Sequence, residues 1–171
     1  MKYCVACSAE NDDNAVRCRV CNGLFFTRTT ANAPAPQPDQ RILCSNCKQY
    51  VSAAGFVCPH CGYDLERSRA DARVTRHLKL RHRSGGEIIL ASGDILGRQF
   101  TGKDLLSRDP YISGAHIKVE QAGKFFALTD LSGQNSFFVN MVPIAPGGTA
   151  IVEDRDVIKI GTTDLVVSIF V

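Results

Sequence analysis

The sequence predicts a mainly β chain in which a C-terminal antiparallel β-sandwich is preceded by two small cysteine-rich units. Two observations support this fold class. All eight cysteines fall within the first 61 residues, in four C-x-x-C pairs. From about residue 76 onward, strand-length apolar runs such as "EIILA", "KFFALTD" and "LVVSIFV" alternate with Gly, Asp, Asn and Ser, without an amphipathic helical pattern.

The cysteine pairs form an internal repeat of 40 residues, in which Cys4 corresponds to Cys44 and Cys21 to Cys61. Two C-x-x-C turns that face each other place four thiolates at the corners of a tetrahedron, the geometry that Zn²⁺ prefers. We therefore predict two Zn²⁺ ions as cofactors. Their predicted ligands are Cys4, Cys7, Cys18 and Cys21 for one ion, and Cys44, Cys47, Cys58 and Cys61 for the other.

Other uses of the cysteines are less favoured. Disulfides would require an oxidising compartment, and the N-terminus lacks the continuous apolar stretch of a secretory signal. Redox chemistry at a single C-x-x-C pair lacks the βαβ context of thioredoxin-like proteins. His60, inside "CPHC", is a further candidate ligand, but four thiolates are already available. No apolar run approaches the roughly 20 residues of a membrane span, so we expect a cytoplasmic protein.

The spacing of the cysteines resembles that of the tandem, or double, zinc ribbon from residue 1 to about 63. The resemblance implies that the metal supplies most of the folding free energy, because a unit of about 20 residues buries little apolar surface. We predict zinc ribbon 1 at 1–26, a proline-rich linker at 27–40 and zinc ribbon 2 at 41–64. A basic linker is predicted at 65–75.

The charge of the chain is unevenly distributed. The formal net charge is +3, and residues 65–83 hold seven basic and two acidic side chains. Two Zn(Cys)₄ centres would each contribute −2, which brings the metal-loaded chain to about −1. Residues 1–64 hold six basic and five acidic side chains, so the side chains of the ribbons are themselves nearly neutral. With few exposed aromatic residues for base stacking, they make nucleic acid a less favoured partner.

Three motifs stand out in the predicted sandwich, which spans residues 76–171. Gly97 and Arg98 end "ILGR", Ser113 precedes His116 by three residues in "ISGAH", and "DLSGQNSFFVN" contains two asparagines. A lone Gly-Arg is typical of a turn followed by a solvated arginine. A Ser–His pair without an orienting third group or an oxyanion hole is typical of a structural hydrogen bond. The sequence contains no catalytic constellation, so we expect no enzymatic activity.

Taken together and in this order, the motifs resemble those of the forkhead-associated (FHA) domain. The resemblance implies an FHA-type β-sandwich whose loops at one end bind a phosphothreonine-containing protein segment. The implied ligand-binding residues are Arg98, Ser113, Gln134 and Asn135, and the implied supports of the binding loops are Gly97, His116 and Asn140.

The chemistry of these residues suits such a ligand. A phosphothreonine carries close to two negative charges and three acceptor oxygens, which the planar guanidinium of Arg98 can bind through charge-assisted hydrogen bonds. The Asn135 amide can bind the N–H and C=O of an extended peptide. The sequence departs from the family pattern where the usual Gly-Thr after this asparagine is replaced by Ser136 and Phe137.

We therefore expect a non-enzymatic signalling adaptor. Its partner would be a protein with a phosphothreonine, either a Ser/Thr kinase or a kinase substrate, and the ribbons would dock another protein or mediate assembly. Two alternatives stay open. One is a nucleic-acid-binding zinc-ribbon protein, and the other is a scaffold whose sandwich binds proteins without phosphate.

Overall fold

A computed structural model of the protein describes residues 2–4, 7, 9–22, 26–27, 41–134 and 137–171. The chain divides into two compact units, Met1–Arg73 and Val74–Val171. The predicted proline-rich linker, apart from its first residue, lies outside the described residues. Neither helix within the described ranges has the length and apolar character needed to cross a lipid bilayer.

Short antiparallel strands support the cysteines of the N-terminal unit. Strand β1 (Lys2–Cys4) pairs with both β2 (Glu10–Asn11) and β3 (Phe26–Thr27), and β4 (Arg41–Leu43) pairs with β5 (Tyr50–Ser52). The first cysteine of each four-cysteine set lies at the end of β1 or directly after β4. These strands are two or three residues long, so they position the thiols but bury little surface themselves.

The segment predicted as a basic linker, for which the sequence allowed one or two helical turns, contains helix α1 (Leu65–Arg73). The Asp64 carboxylate accepts a hydrogen bond from the N–H of Glu66 at 2.9 Å, which caps the first turn. Leu65 is fully buried and packs with Cys44, Val51 and Cys58. The helix is therefore part of the second cysteine unit.

Polar contacts attach the rest of helix α1 to the same unit. The Ser68 hydroxyl accepts a hydrogen bond from the N–H of Ser45 at 3.0 Å, and the Ser45 hydroxyl donates to the Asp71 carboxylate at 2.7 Å. The Arg69 guanidinium donates to the carbonyl of Ala53. Because these contacts are mostly polar, the helix has no apolar stripe that the sequence could reveal.

The C-terminal unit consists of two antiparallel sheets, as the sequence predicts. Its elements are β6 (His77–His82), β7 (Glu87–Leu90), β8 (Ile95–Leu96), α2 (Lys103–Leu106), β9 (Ile117–Ala122), β10 (Phe125–Asp130), β11 (Phe138–Val139), β12 (Val142–Pro143), β13 (Thr149–Val152), β14 (Val157–Ile160) and β15 (Thr163–Phe170). One sheet has the order β12-β11-β14-β15-β6-β7, and the other has the order β13-β10-β9-β8.

One apolar core joins the two sheets. Leu78 and Leu80 of β6 contribute to it together with Phe126 and Leu128 of β10. The residues between the two leucines and after them, Lys79 and Arg81, point to the other face of the six-stranded sheet, since strand side chains alternate. The fold class predicted from the sequence is thereby confirmed as a β-sandwich preceded by cysteine clusters.

Candidate functional site

The segments that hold Arg98 and Ser113 are hydrogen-bonded to each other through their main chains. The N–H of Arg98 donates to the carbonyl of Ser113 at 3.1 Å, and the N–H of Gln99 donates to the carbonyl of Gly114 at 3.1 Å. One segment follows β8 and the other precedes β9, two strands that pair in the four-stranded sheet. The structure thus brings these two predicted ligand-binding residues together on neighbouring chain segments.

Gly97 permits this close approach. A Cβ atom at residue 97 would lie 2.1 Å from the carbonyl oxygen of Gly114 and 3.0 Å from that of Ser113. Any side chain would therefore collide with the backbone of the facing loop. The glycine therefore sets the distance between the two segments, and Arg98 is the next residue along the chain.

Arg98 itself is exposed. Within the described residues its guanidinium forms no ion pair or side-chain hydrogen bond. An arginine held in an internal ion pair would have its donors occupied. Among the residues that the structure describes, none occupies the donors of the Arg98 side chain in this way.

His116 connects three segments at this edge of the sandwich. Its Nδ1 accepts a hydrogen bond from the N–H of Ser113 at 2.9 Å, so this nitrogen carries no proton. The main-chain N–H of His116 donates to the carbonyl of Leu96 at 2.9 Å, and its main-chain carbonyl accepts from the N–H of Leu131 at 2.8 Å. The imidazole is fully buried. The histidine therefore contacts the ends of the loops that carry the predicted ligand-binding residues.

Asn140 lies in a different turn. It adopts φ 48° and Met141 adopts φ 69°, as expected for a two-residue type I′ turn between β11 and β12. Its side chain donates to the Asp156 carboxylate at 2.8 Å and accepts from the N–H of Val157 at 2.9 Å. Among the described residues, these side-chain contacts join the β11–β12 turn to the connection between β13 and β14 rather than to the segments around Arg98.

The loop after β10 carries the remaining predicted ligand-binding residues. Gln134 is exposed, whereas Asn135 and Ser136 lie outside the described residues. Phe137 is fully buried in the core, and its carbonyl accepts a hydrogen bond from the N–H of Ile144 at 2.9 Å. Where the FHA pattern has a threonine, this chain therefore fixes the end of the loop by apolar burial.

The sequence analysis missed Asp130, which organises the start of this loop. Its buried carboxylate accepts hydrogen bonds from the hydroxyl of Ser132 at 2.8 Å and from the N–H groups of Ser132, Gly133 and Gly147 at 3.1–3.3 Å. Burial raises the pKa of Asp130, but these hydrogen bonds outweigh it and lower the pKa overall. The available signal was an Asp two residues before Ser, which is typical of an Asx turn.

The eight cysteines form two clusters of four free thiols. The sulfur atoms are 3.4 Å apart between Cys4 and Cys21 and 3.5 Å apart between Cys7 and Cys18. In the second cluster the corresponding distances are 3.7 Å and 3.6 Å. A tetrahedral zinc ion with Zn–S bonds of about 2.3 Å requires sulfur atoms about 3.8 Å apart. Both clusters therefore fit a tetrahedral metal ion.

Hydrogen bonds to sulfur favour the thiolate form of one cysteine in each cluster, whereas burial raises the pKa of Cys7, Cys47 and Cys58. Burial alone would raise the pKa of Cys18, but donors from the backbone of Cys21 and Val20 and from the Asn11 amide lower it to about 6. A hydrogen bond from Asn46 is the largest cause that lowers the pKa of Cys61 to about 6. Donors of this kind orient metal ligands and stabilise their charge.

The turns after the C-x-x-C pairs show which residues take positive φ. Gly62 has φ 72°, and the corresponding residue of the first unit is Asn22, with φ 59°. The following Gly23 lies outside the described residues. Lys48 also has φ 59°, so this conformation is imposed by the cysteine turn and is not confined to glycine.

Comparisons with known proteins agree on the C-terminal unit. Residues 94–161 match the family model of the FHA domain. Similar solved structures include the FhaA FHA domain in complex with the intracellular domain of a second protein, at 27% identity, covering 55% of this chain and 100% of that chain with a TM-score of 0.45. No curated protein matches the chain.

Two further structures give comparable values. One comes from a study of phosphothreonine-dependent FHA domain interactions, at 29% identity, covering 55% of this chain and 95% of that chain with a TM-score of 0.44. The other is the FHA domain of a hypothetical protein from Arabidopsis thaliana, at 27% identity, covering 55% of this chain and 86% of that chain with a TM-score of 0.46.

Proposed function

We propose, from the premise that the C-terminal unit carries an FHA domain, that this chain is a non-enzymatic signalling adaptor. FHA domains are non-enzymatic interaction modules that bind phosphothreonine-containing peptides or proteins. The partner is a protein segment with a phosphothreonine, from a Ser/Thr kinase or one of its substrates, and the adaptor acts in the cytoplasm. The observation that carries the proposal is the exposed guanidinium of Arg98 beside the Ser113 loop.

The proposed binding chemistry assigns a role to each side chain. Arg98 neutralises and orients the phosphate through charge-assisted hydrogen bonds, and the Ser113 hydroxyl donates a further hydrogen bond. Gln134 contacts the phosphate, and Asn135 binds the peptide main chain. Gly97, His116 and Asn140 support the loops. Gly97 and His116 do so by direct contact with the Arg98 and Ser113 segments.

We assign two Zn²⁺ ions to the two cysteine clusters, in keeping with the soft thiolate donors and the tetrahedral fit. When bound, zinc supplies folding free energy to small units of this kind. The clusters then act as structural centres, with all four coordination positions occupied by protein sulfur.

An exposed apolar residue occurs at the same position in both ribbons, which supports protein docking as their role. Val16 precedes Cys18 by two residues and is 78% exposed, and Phe56 precedes Cys58 by two residues and is 73% exposed. Exposed apolar side chains offer surface that a partner protein can remove from water. The near-neutral charge of the ribbons provides no comparable support for nucleic acid.

Arg98→Ala tests the proposal. Peptides from a degenerate library, synthesised with threonine or phosphothreonine at the fixed position, are titrated against the zinc-loaded chain by fluorescence polarisation. We expect the wild-type chain to prefer the phosphorylated peptides, and the variant to bind them about 10- to 100-fold more weakly, since it loses charged hydrogen bonds. Arg155→Ala removes a cation that is 92% exposed in another turn and should retain wild-type affinity.

The same titration separates the alternative functions. Equal affinity for phosphorylated and unmodified peptides would contradict phosphothreonine recognition and favour a phosphate-independent scaffold. A salt-sensitive mobility shift of random nucleic acid, in the absence of peptide preference, would instead favour nucleic-acid binding.

A further inference from the structure

Asp109 is a buried carboxylate at the start of the loop that leads to Ser113. Only 7% of its surface is exposed. Its Oδ1 accepts a hydrogen bond from the N–H of Tyr111 at 3.0 Å. Its Oδ2 accepts from the N–H of Thr162 at 2.7 Å, the hydroxyl of Thr162 at 2.8 Å and the hydroxyl of Thr163 at 3.0 Å. One carboxylate thus joins the Ser113 loop to the turn between β14 and β15.

The turn approaches the carboxylate closely. A Cβ atom at Gly161 would lie 2.8 Å from both carboxylate oxygens, and Gly161 has φ 58°. The turn therefore brings its backbone and two hydroxyl groups to the carboxylate without a side chain between them. The partners lie 53 residues from Asp109 in the sequence, so the contact exists only in the folded sandwich.

The backbone between Asp109 and Ser113 has little freedom. Pro110 has a fixed φ, and Ile112 is 1% exposed in the apolar core. The N–H of Ile112 donates to the carbonyl of Asp109 at 3.2 Å, and Ser113 is held by His116 and by the N–H of Arg98. A displacement of Asp109 is therefore transmitted to Ser113 and to the segment that carries Arg98.

The charge of Asp109 is compensated within the protein. Burial raises its pKa, but the hydrogen bonds from Thr162, Tyr111 and Thr163 outweigh burial and lower the pKa overall. All of its described partners belong to the protein, and a carboxylate has the same charge sign as a phosphate. Asp109 therefore does not serve as a ligand contact; its role is exerted through the loop.

We propose that Asp109 is a positioning residue for phosphothreonine recognition, which fixes the Ser113 loop by anchoring it to the Thr162 and Thr163 turn. The inference rests on the proposed function of the sandwich. The sequence alone did not single out Asp109, because an Asp-Pro pair in a loop is also typical of an exposed turn.

A double-mutant cycle tests this role. Asp109→Asn, Thr163→Val and the double variant are prepared in the full zinc-loaded chain. The probe is the phosphothreonine peptide from the degenerate library that binds the wild-type chain most tightly. We expect Asp109→Asn to weaken binding about tenfold and Thr163→Val to weaken it about two- to threefold. Because the two residues share one hydrogen bond, the double variant should be no weaker than Asp109→Asn.

Asp154→Asn is the matched control. Its carboxylate accepts one hydrogen bond from the N–H of Ile169 at 3.2 Å, in a turn outside the segments around Arg98, and affinity should be unchanged. Hydrogen exchange of the Tyr111 and Thr162 amides provides a second readout, measured well below the melting temperature of each variant. Faster exchange at both amides in Asp109→Asn, together with weaker binding, supports the positioning role.

Other outcomes overturn the inference. Wild-type affinity in a folded Asp109→Asn chain shows that the contact serves stability alone, and fully additive losses show that the two residues do not act through one contact. If Asp109→Asn does not fold, unchanged affinity in Thr163→Val overturns the proposal. Failure of the wild-type chain to prefer phosphorylated peptides rejects the proposed function itself, whereas a loss in Arg98→Ala without a loss in Asp109→Asn rejects only the positioning role.

Discussion

Gly97 and Arg98 are adjacent residues with opposite requirements. The first is buried where a carbonyl oxygen occupies the space of a side chain, and the second extends a charged group into solvent. If the two residues were exchanged, the arginine would collide with the facing backbone and the glycine would present no charge to solvent. The Gly-Arg dipeptide therefore works as one unit, in which the glycine determines how close the arginine comes to Ser113.

Gly97→Ala should lower both stability and ligand affinity. The added methyl group would overlap the Gly114 carbonyl, and displacing that backbone should cost about 1–3 kcal/mol in the free energy of unfolding. Denaturant unfolding and peptide titration measure the two effects. Gly55→Ala is the control, because a Cβ there would meet its nearest atom at an ordinary 3.5 Å. Unchanged stability and affinity in Gly97→Ala would contradict the account of the close approach.

Some of the residues around the candidate site could be predicted from the sequence, and others could not. Arg98, Ser113 and His116 belong to spaced motifs, so a pattern of a few residues identified them. Asp130 has a local signal in its Asx turn, but the burial of Asp109 and of Asp130 also depends on donors 53 and 17 residues away. No local pattern encodes such contacts.

Helix α1 shows the same limitation for a whole element. Its sequence is highly charged, and only Leu65 and Ser68 are buried, so the sequence favoured a linker. An isolated helix of nine residues is unstable in water, and the helix forms here because Leu65 and the Ser45 contacts attach it to the second cysteine unit. We therefore expect its stability to depend on that unit.

Removal of the proposed zinc should unfold helix α1. After chelation, amide protection across residues 65–73 should fall to the level of an unfolded chain, because Cys44 and Cys58, which pack with Leu65, would lose the metal ion that holds them together. Hydrogen exchange with metal analysis measures this change. The amides of β15 in the C-terminal unit serve as the internal control and should keep their protection. Unchanged protection of α1 in a chain shown to be metal-free would refute the dependence.

The whole molecule combines two kinds of stabilisation. The sandwich has an apolar core with fully buried residues from both sheets, whereas the N-terminal unit depends on small clusters around cysteine. The sequence predicted this division well, because strand-length apolar runs and C-x-x-C repeats are both local signals. It predicted individual strand faces less well: β10 is buried at every position except Thr129, so its sequence shows no simple alternation.

Acid should destabilise the sandwich through its two buried carboxylates. The folded-state pKa values of Asp109 and Asp130 lie below the ordinary value. Their contribution to the free energy of unfolding is therefore fully present above about pH 4, the unfolded pKa. It is lost as the pH falls through the lower folded-state pKa. Denaturant unfolding at pH 6, 4 and 3, monitored through the amide NMR signals of the C-terminal unit, measures this loss.

The Asp109→Asn, Asp130→Asn double variant provides the control for this pH dependence. Its sandwich should be less stable at pH 6 but should lose less further stability between pH 4 and pH 3, since the two titrating groups are absent. A wild-type chain and a double variant with equal losses over that interval would show that other groups govern acid unfolding.

The loop after β10 begins at buried Asp130 and ends at buried Phe137. Because the rest of the fold holds both ends, the entropy cost of closing the loop rises only slowly with its length. Short insertions beyond Gly133, outside the contacts of Asp130, should consequently have small effects on folding. This part of the chain is therefore well suited to changes in length during evolution, on a framework that stays constant.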